Sequence, residues 1–405
     1  MEKITDKLYS WASVLEPDTR DQAEALSRLP IIAGHVALMP DAHLGKGSTV
    51  GSVIPTDGAV IPAAIGVDIG CGMGAALTNM TSKDLPDSLD SLVDGFDKVV
   101  PAGLGHWHRE PLPQAYTWWE AHRGEVATEL SDKQIKTLLV QLGTLGSGNH
   151  FLEIVLDELD RVWVFLHSGS RGIGNQLASI HIKIARKVCD YELKALRGHR
   201  DDEDLAWLTE GTPEFDTYIA DMRFAQAYAL ENRSIMMDSA LAYLFRWLTG
   251  PRHRPSKNPT ELDRINTHHN FTELQQWPPG GEVARPVWIT RKGAIKAGPG
   301  DLGLIPGSMG QRSYVVEGLG SLDSYHSCSH GAGRTMSRTR ARKELDVASL
   351  EKKMSGLAWQ RGNARDLLDE HPSAYKNIDQ VMADQTDLVK VVHTFRAIGN
   401  YKGVS

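Results

Sequence analysis

Neutral imidazole is both a metal ligand and, at phosphorus, a nucleophile, so the histidines are the first residues to follow. His150, His167 and His269 each stand in a loop rich in Gly, Asn or Ser at the end of an apolar run: Gly148-Asn-His-Phe, Leu166-His-Ser-Gly-Ser and Thr267-His-His-Asn-Phe. Asp68 and Cys71 lie three apart in Gly66-Val-Asp-Ile-Gly-Cys-Gly-Met, where glycine on both sides of Cys71 lets the loop fold both donors toward one ion. Carboxylate, thiolate and imidazole together suit Mn²⁺, Zn²⁺ or Fe²⁺, and argue against Ca²⁺ or Mg²⁺, which want oxygen shells. For any one of these histidines alone, donation to a nearby carbonyl is the commoner role. No C-x-x-C or H-E-x-x-H spacing is present, so the likeness of the contexts carries the joint expectation. His268 competes with His269 for the third imidazole position. His330, in Ser329-His-Gly-Ala-Gly-Arg, reads as a nucleophile, a ligand or a turn residue on its own chemistry.

These loops need strands and helices to hold them. Arg161–Leu166 and Pro286–Thr290 have the β-branched and aromatic content of buried strands, and each runs into a polar glycine loop. Helical periodicity covers about 114–135 (Trp118, Trp119, Val126), Asn175–Leu196 and Phe215–Leu248. It recurs over Asp346–Leu368, where Asp346 is a cap candidate and Leu350, Met354 and Leu357 follow at helical spacing, and over Ile378–Ile398. Strand, glycine loop and helix alternate without a fixed period or a low-complexity linker. The expected fold is α/β (α+β): one intertwined domain over 1–405 with mixed β-sheets, glycine-rich active-site loops and a helical insertion around 175–250. Gly250–Pro259 reads as an exposed basic loop with Arg252 and Arg254.

Of the 405 residues, 41% are hydrophobic and 23% charged, the composition of a globular chain. The expected location is the cytoplasm, with no membrane association and no secretory leader. Three widely spaced cysteines make no disulfide framework, and Cys189 is expected to be inert core. A net charge of −7 means that a polyanion must be attracted by a local patch or by metal ions. Arg334, Arg338, Arg340, Arg342 and Lys343 form the densest basic run, directly after His330. There is no G-x-x-x-x-G-K-[ST] loop. Gly45-Lys-Gly-Ser48 resembles only its tail, and Asp41 and His43 remain candidates for phosphate contact.

Seven segments carry a resemblance to a known family: Met39-Pro-Asp-Ala-His-Leu-Gly-Lys-Gly, Gly66-Val-Asp-Ile-Gly-Cys-Gly, Gly143-Thr-Leu-Gly-Ser-Gly-Asn-His-Phe, His167-Ser-Gly-Ser-Arg-Gly, Arg291-Lys-Gly-Ala, Pro306-Gly-Ser-Met-Gly and His330-Gly-Ala-Gly-Arg. In this order they resemble the motif set of RtcB-type RNA ligases, over roughly Pro40 to Lys402. The resemblance implies an enzyme that uses GTP and Mn²⁺, with two ions expected and Zn²⁺ or another divalent metal an option. It would join an RNA 3′-phosphate or 2′,3′-cyclic phosphate to a 5′-hydroxyl, in RNA repair or tRNA splicing. By position it makes His330 the guanylylated residue. The metal ligands become Asp68, Cys71, His150, His167 and His269, with Cys71 bridging; His269 is preferred because it directly precedes Asn270. Nucleotide contacts fall on Asn149, Glu153, His269, Asn270, Pro306, Gly307, Ser308, Met309, Ser313, His330, Gly331, Ala332, Gly333, Tyr375 and Lys402. Arg171, Arg334 and Arg338 are expected at RNA phosphates. Many relatives carry Asn where this chain has Gly70, which leaves both donors intact. The match is weaker before Pro40 and over 101–135. An archease-like activator is an expected partner, and the expected state is a monomer.

Two rival readings differ in what they require. A metal-dependent phosphoesterase that opens cyclic phosphates needs the metal site but no guanylylated His330. An RNA-binding module with a structural metal needs neither a nucleophile nor an open metal position.

Overall fold

In Arg161–Ser168, Val162, Val164 and Leu166 alternate with Trp163, Phe165 and His167, and both sets are buried, so this strand must be covered on two faces. The computed structural model describes residues 1–189, 203–251, 253, 255–281 and 283–404. Its larger sheet contains β6 (Gly72–Thr81), β7 (Phe151–Leu156), β8 (Arg161–Ser168), β10 (Glu261–His268), β14 (Leu302–Ile305), β15 (Arg312–Gly318) and β18 (Val389–Lys402). Their order is β10-β6-β8-β7-β18-β15-β14, with the short β17 (Ala358–Trp359) beside β18. A second sheet orders β1 (Glu2–Thr5), β2 (Leu8–Ser10), β3 (Val36–His43), β4 (Val50–Thr56), β12 (Arg285–Lys292) and β11 (Asn270–Trp277). Two ribbons complete the strands: β5 (Ala59–Val60) with β9 (Leu208–Thr209), and β13 (Ala294–Lys296) with β16 (Ser327–Ser329). The chain is thus a mixed α+β protein.

One face of the larger sheet packs Leu152, Ile154, Val164 and Leu166 against Met236, Leu241 and Leu244 of the Pro213–Leu248 helix. Each such side chain, fully buried, is worth about 1.5–3 kcal/mol. The other face gathers Met73, Phe151, Phe165 and Phe395, and at its end Glu153 and His167 share their side of the strands. On β18 a bulge between Ala397 and Gly399 inserts one residue. Side chains alternate by two along a strand, so without it Gly399 and Tyr401 would continue the face of Phe395 and Ala397. The extra residue puts Asn400 opposite Glu153 and Lys402 opposite Phe151 instead.

Several elements differ from expectation. The 114–135 periodicity breaks into helices Pro113–His122 and Asp132–Gln141, the second opened by a Ser131–Gln134 capping box. The helix capped by Asp346 ends at Lys353, and Leu357 follows in a turn. Ile378–Ala383 is helical, but Val389–Lys402 is a strand in the middle of the sheet, where β-branched Val391, Val392 and Thr394 fit a pleated surface. Phe215–Leu248 lies wholly in the long helix, and the Asn175 helix runs Arg171–Val188, followed by buried Cys189. The remainder expected to Leu196, together with Arg252 and Arg254, lies outside the described residues. Among the described residues, no helix is long and apolar enough to cross a membrane.

Candidate metal centre and catalytic cavity

Cys71, His150 and His167 come together because β6 and β8 are neighbours and β7 pairs with β8, so their loop ends emerge at one edge. Cys71 Sγ lies 3.4 Å from His150 Nε2 and 3.3 Å from His167 Nε2. The Nδ1 atoms of these rings lie 2.9 Å from Leu145 O and 3.1 Å from Asn149 O. With Nδ1–H spent on a carbonyl, each ring turns an Nε2 lone pair toward the thiol, the arrangement metal-bound histidines use. The three donor atoms lie within 4.8 Å of one another. Asp68 Oδ2 is 3.0 Å from His150 Nε2. Burial is the largest single influence and opposes its charge, but the contacts with His150 and Cys71 and the charge of Arg171 together outweigh it and hold the carboxyl well below the usual range. Burial and then Asp68 push the Cys71 thiol up, so a cation between these groups is what would favour thiolate.

His269 is the residue at which the chain passes from β10 in one sheet to β11 in the other. Its Nε2 lies 3.3 Å from His167 Nε2, and its buried Nδ1 has no partner. Burial holds both rings neutral, well below the ordinary imidazole value. His268 is turned away, its Nδ1 lying 2.8 Å from Gly70 O and 3.1 Å from Arg233 Nη2. Thiol, carboxylate and three imidazoles with free lone pairs are a donor set that fits a borderline divalent cation.

His330 reaches the same cavity from the other sheet's side. The N–H groups of His330 and Gly331 donate to Asp41 Oδ2 at 3.1 and 3.2 Å, and His330 Nδ1 lies 2.7 Å from that oxygen without being aligned for a hydrogen bond. Asp41 is fully buried. Gly333 has a φ of +71°, and a Cβ there would stand 2.3 Å from Asp41 O, so this turn takes glycine. The ring centroids of His330 and His269 are 4.9 Å apart. Asp68, Cys71, His167, His269 and His330 line one cavity of about 300 Å³.

Residues 22–403 match the family model described as tRNA-splicing ligase RtcB. The chain belongs to the RtcB family. It is 41% identical to the RNA-splicing ligase RtcB of Escherichia coli strain K12 over 98% of this chain and 97% of that one. It is 29% identical to the tRNA-splicing ligase RtcB of Nanoarchaeum equitans, covering 98% and 94%. The corresponding values for Mycobacterium tuberculosis RNA-splicing ligase RtcB are 29%, 94% and 100%.

Most positions that the RtcB resemblance singled out line this cavity: Asp68, Cys71, Asn149, Glu153, His167, His269, Asn270, Pro306, Gly307, Ser308, Met309, His330, Gly331, Ala332, Gly333, Arg334, Arg338, Tyr375 and Lys402. His150 stands behind Cys71. Ser313 stands behind the 306–309 loop, where its hydroxyl accepts from Gly307 N–H at 3.1 Å. Arg171 sits against Gly146, outside the cavity lining, and its Nε donates to Thr144 Oγ1 at 3.3 Å. Arg334 donates from all three guanidinium nitrogens inside the protein, to Met336 O, Glu370, Tyr375 and Asp369 O. It organises this wall of the cavity more than it reaches into it. Arg340 and Arg342 are paired with Glu344 and Asp369, and Arg338 is half-exposed beside Gly148.

Three contributors were not visible from residue type and spacing. Asp41, expected at phosphate, instead backs His330; a buried carboxylate beside a transferring phosphate would repel it. Asn232 and Arg233, on the long helix, clamp the ligand loops from behind. Asn232 Oδ1 accepts from Gly143 N–H and Thr144 N–H, and its Nδ2 donates to Thr144 O, Ser168 Oγ and Gly169 O. Arg233 Nη1 donates to Gly70 O at 2.8 Å and Ser168 O at 3.0 Å. Helical burial alone gave no sign of these polar roles.

Proposed function

We propose that this chain is a GTP- and Mn²⁺-dependent RNA ligase joining 3′-phosphate or 2′,3′-cyclic phosphate ends to 5′-hydroxyl ends, through guanylylated His330 and an RNA-3′-pp-5′-G intermediate. One observation carries the reading: a buried thiol–imidazole cluster with the half-buried Asp68 carboxylate beside it, and a histidine backed by a buried carboxylate, open into the same cavity. The metal ligands would be Asp68, Cys71, His150, His167 and His269. Two bound ions would neutralise phosphate charge and align the reacting oxygens. Asp41 fixes the His330 turn, leaving Nε2 as the nitrogen to attack the α-phosphorus of GTP, with pyrophosphate leaving. A 2′,3′-cyclic phosphate is first opened by water to the 3′-phosphate and a free 2′-hydroxyl; the RNA 3′-phosphate then takes GMP from His330, and the 5′-hydroxyl displaces GMP to close the bond. Asn149, Glu153, Asn270, Ser308, Tyr375 and Lys402 would hold the nucleotide, with Ser313 supporting their loop, and Arg171, Arg334 and Arg338 would supply positive charge near RNA. The whole chain 1–405 would act as one ligase domain, cytoplasmic and monomeric, with an archease-like activator as a candidate partner.

The test is incubation of the purified protein with labelled GTP and Mn²⁺. An acid-labile protein–GMP adduct is expected, and it should vanish in His330→Ala. An adduct that survives in His330→Ala removes the nucleophile assignment. Cyclic-phosphate opening without any adduct would leave the phosphoesterase reading.

A further inference from the structure

Lys376 does not line the cavity, although its neighbour Tyr375 does. Its side chain is buried, and the ammonium donates to Val14 O and Ala42 O, each at 2.7 Å. Glu16 Oε2 stands 3.8 Å from the same nitrogen. The backbone N–H of Lys376 donates to Gly333 O at 3.0 Å. One residue thereby holds two segments that meet at the nucleophile. Ala42, near the end of β3, follows Asp41, the carboxylate behind His330, and Gly333 closes the turn that begins at His330. Beside this junction Arg334 and Tyr375 form a β-bridge, and Thr335 N–H donates to Ala374 O at 2.8 Å. Residues 374–376 are laced along 333–335, and from there the Lys376 side chain reaches across to β3.

Two backbone carbonyls could be met by a neutral donor. A buried ammonium costs more to desolvate, and it is stabilised only where an opposite charge and hydrogen bonds surround it. Asp41 is such a charge. It is fully buried, the N–H groups of His330 and Gly331 share its Oδ2, and among the described residues its Oδ1 has no hydrogen-bond partner. Burial opposes the charge of Lys376, while Glu16 and then Asp41 favour it. Removing one member of such an arrangement leaves the other buried without compensation. The carboxylate that fixes His330 is therefore itself supported from behind.

We propose that Lys376 is a positioning residue for the guanylylation step: it clamps the Asp41–Ala42 strand end to the His330–Gly333 turn and sets its charge against Asp41, so that His330 is held ready for attack. The proposal rests on the ligase reading and adds to it a residue outside the cavity lining.

The experiment separates the steps of the reaction in the full-length chain. It compares the parent with Lys376→Met, which keeps the stem and loses the charge and the donors. Single-turnover formation of the GMP adduct, from labelled GTP and Mn²⁺, should slow by about ten- to a hundredfold at saturating GTP, the scale of a small misplacement of a reacting group. The apparent Kd for GTP should stay within about twofold, because ground-state binding is not what the clamp serves. Joining of an RNA that already carries the 3′-pp-5′-G end does not call on His330, so Lys376→Met should seal it within about twofold of the parent rate. An unchanged adduct rate overturns the positioning role. So does an equal loss in both steps, or a rise in Kd as large as the loss of rate, either of which would mark a merely structural residue. If Lys376→Met gives no melting transition, Lys376→Gln, neutral but still a donor, meets the same two assays and the same outcomes. If the parent forms no GMP adduct at all, it is the ligase reading that falls.

Discussion

Three ionisable side chains share one buried wall of the cavity, and they are not equivalent. Lys402 Nζ lies 3.3 Å from Glu370 Oε2, and Arg334 adds a second cation to Glu370. Burial alone would raise the Glu370 carboxyl, but these cations outweigh it and hold it below its ordinary value. Glu153 has a hydrogen bond from Asn400 at 2.7 Å and only a weaker pull from Lys402, so burial dominates and pushes it up to about 7. A carboxyl raised in the folded state contributes its full stability below the unfolded value, near 4.5, and loses it as pH climbs toward 7. Glu153→Gln should therefore flatten the ligand-free protein's fall in stability between pH 5 and 8, by at most roughly 3 kcal/mol. Parallel melting curves for parent and variant across that range would remove the raised carboxyl. The metal-ligand candidates themselves were legible in the sequence because each side-chain type announces its chemistry at the mouth of a strand. Asp41 was misjudged because its role depends on two backbone N–H groups nearly 290 residues away.

At the scale of elements, the long helix does two jobs. Its apolar residues fill the core between the sheets, and the pair Asn232–Arg233 holds the loops around Gly70, Gly143 and Ser168. Asn232→Ala would leave the buried Gly143 and Thr144 N–H groups without their acceptor. The expected loss is roughly 2–4 kcal/mol of stability, with weaker metal retention, read by chemical unfolding and by metal analysis of the purified variant. Unchanged metal content would show that the loops hold their shape without the helix. Periodicity made this helix readable from Phe215 to Leu248, but periodicity could not distinguish β18 from a helix. The run Val389-Lys-Val-Val-His-Thr-Phe-Arg contains apolar residues at both spacings, and the neighbours β7 and β15 decide the matter. The bulge after Ala397 is equally invisible in one sequence. It nevertheless determines that Asn400 and Lys402 belong to the site.

For the whole molecule, the candidate metal ligands come from separate parts of the chain. Asp68, Cys71, His150 and His167 lie at the ends of larger-sheet strands, and His269 joins that sheet to the other. A cation bound only by the folded state adds about 2.7 kcal/mol at a hundred times its Kd. For a chain of this size, saturating Mn²⁺ should raise the melting temperature by roughly 4 °C over chelator-treated protein. Cys71→Ala should abolish that rise together with the GMP adduct. A full rise in the variant would take Cys71 out of the ligand set. The order of the strands also has a consequence for synthesis. β18, formed by residues 389–402, occupies the middle of the larger sheet between β7 and β15, and it delivers Asn400 and Lys402. Ribosomes extend a chain at about 5–20 residues per second, and early segments begin to fold first. A nascent chain of this protein therefore has a gap in its larger sheet until β18 emerges, and only then is this wall of the cavity complete.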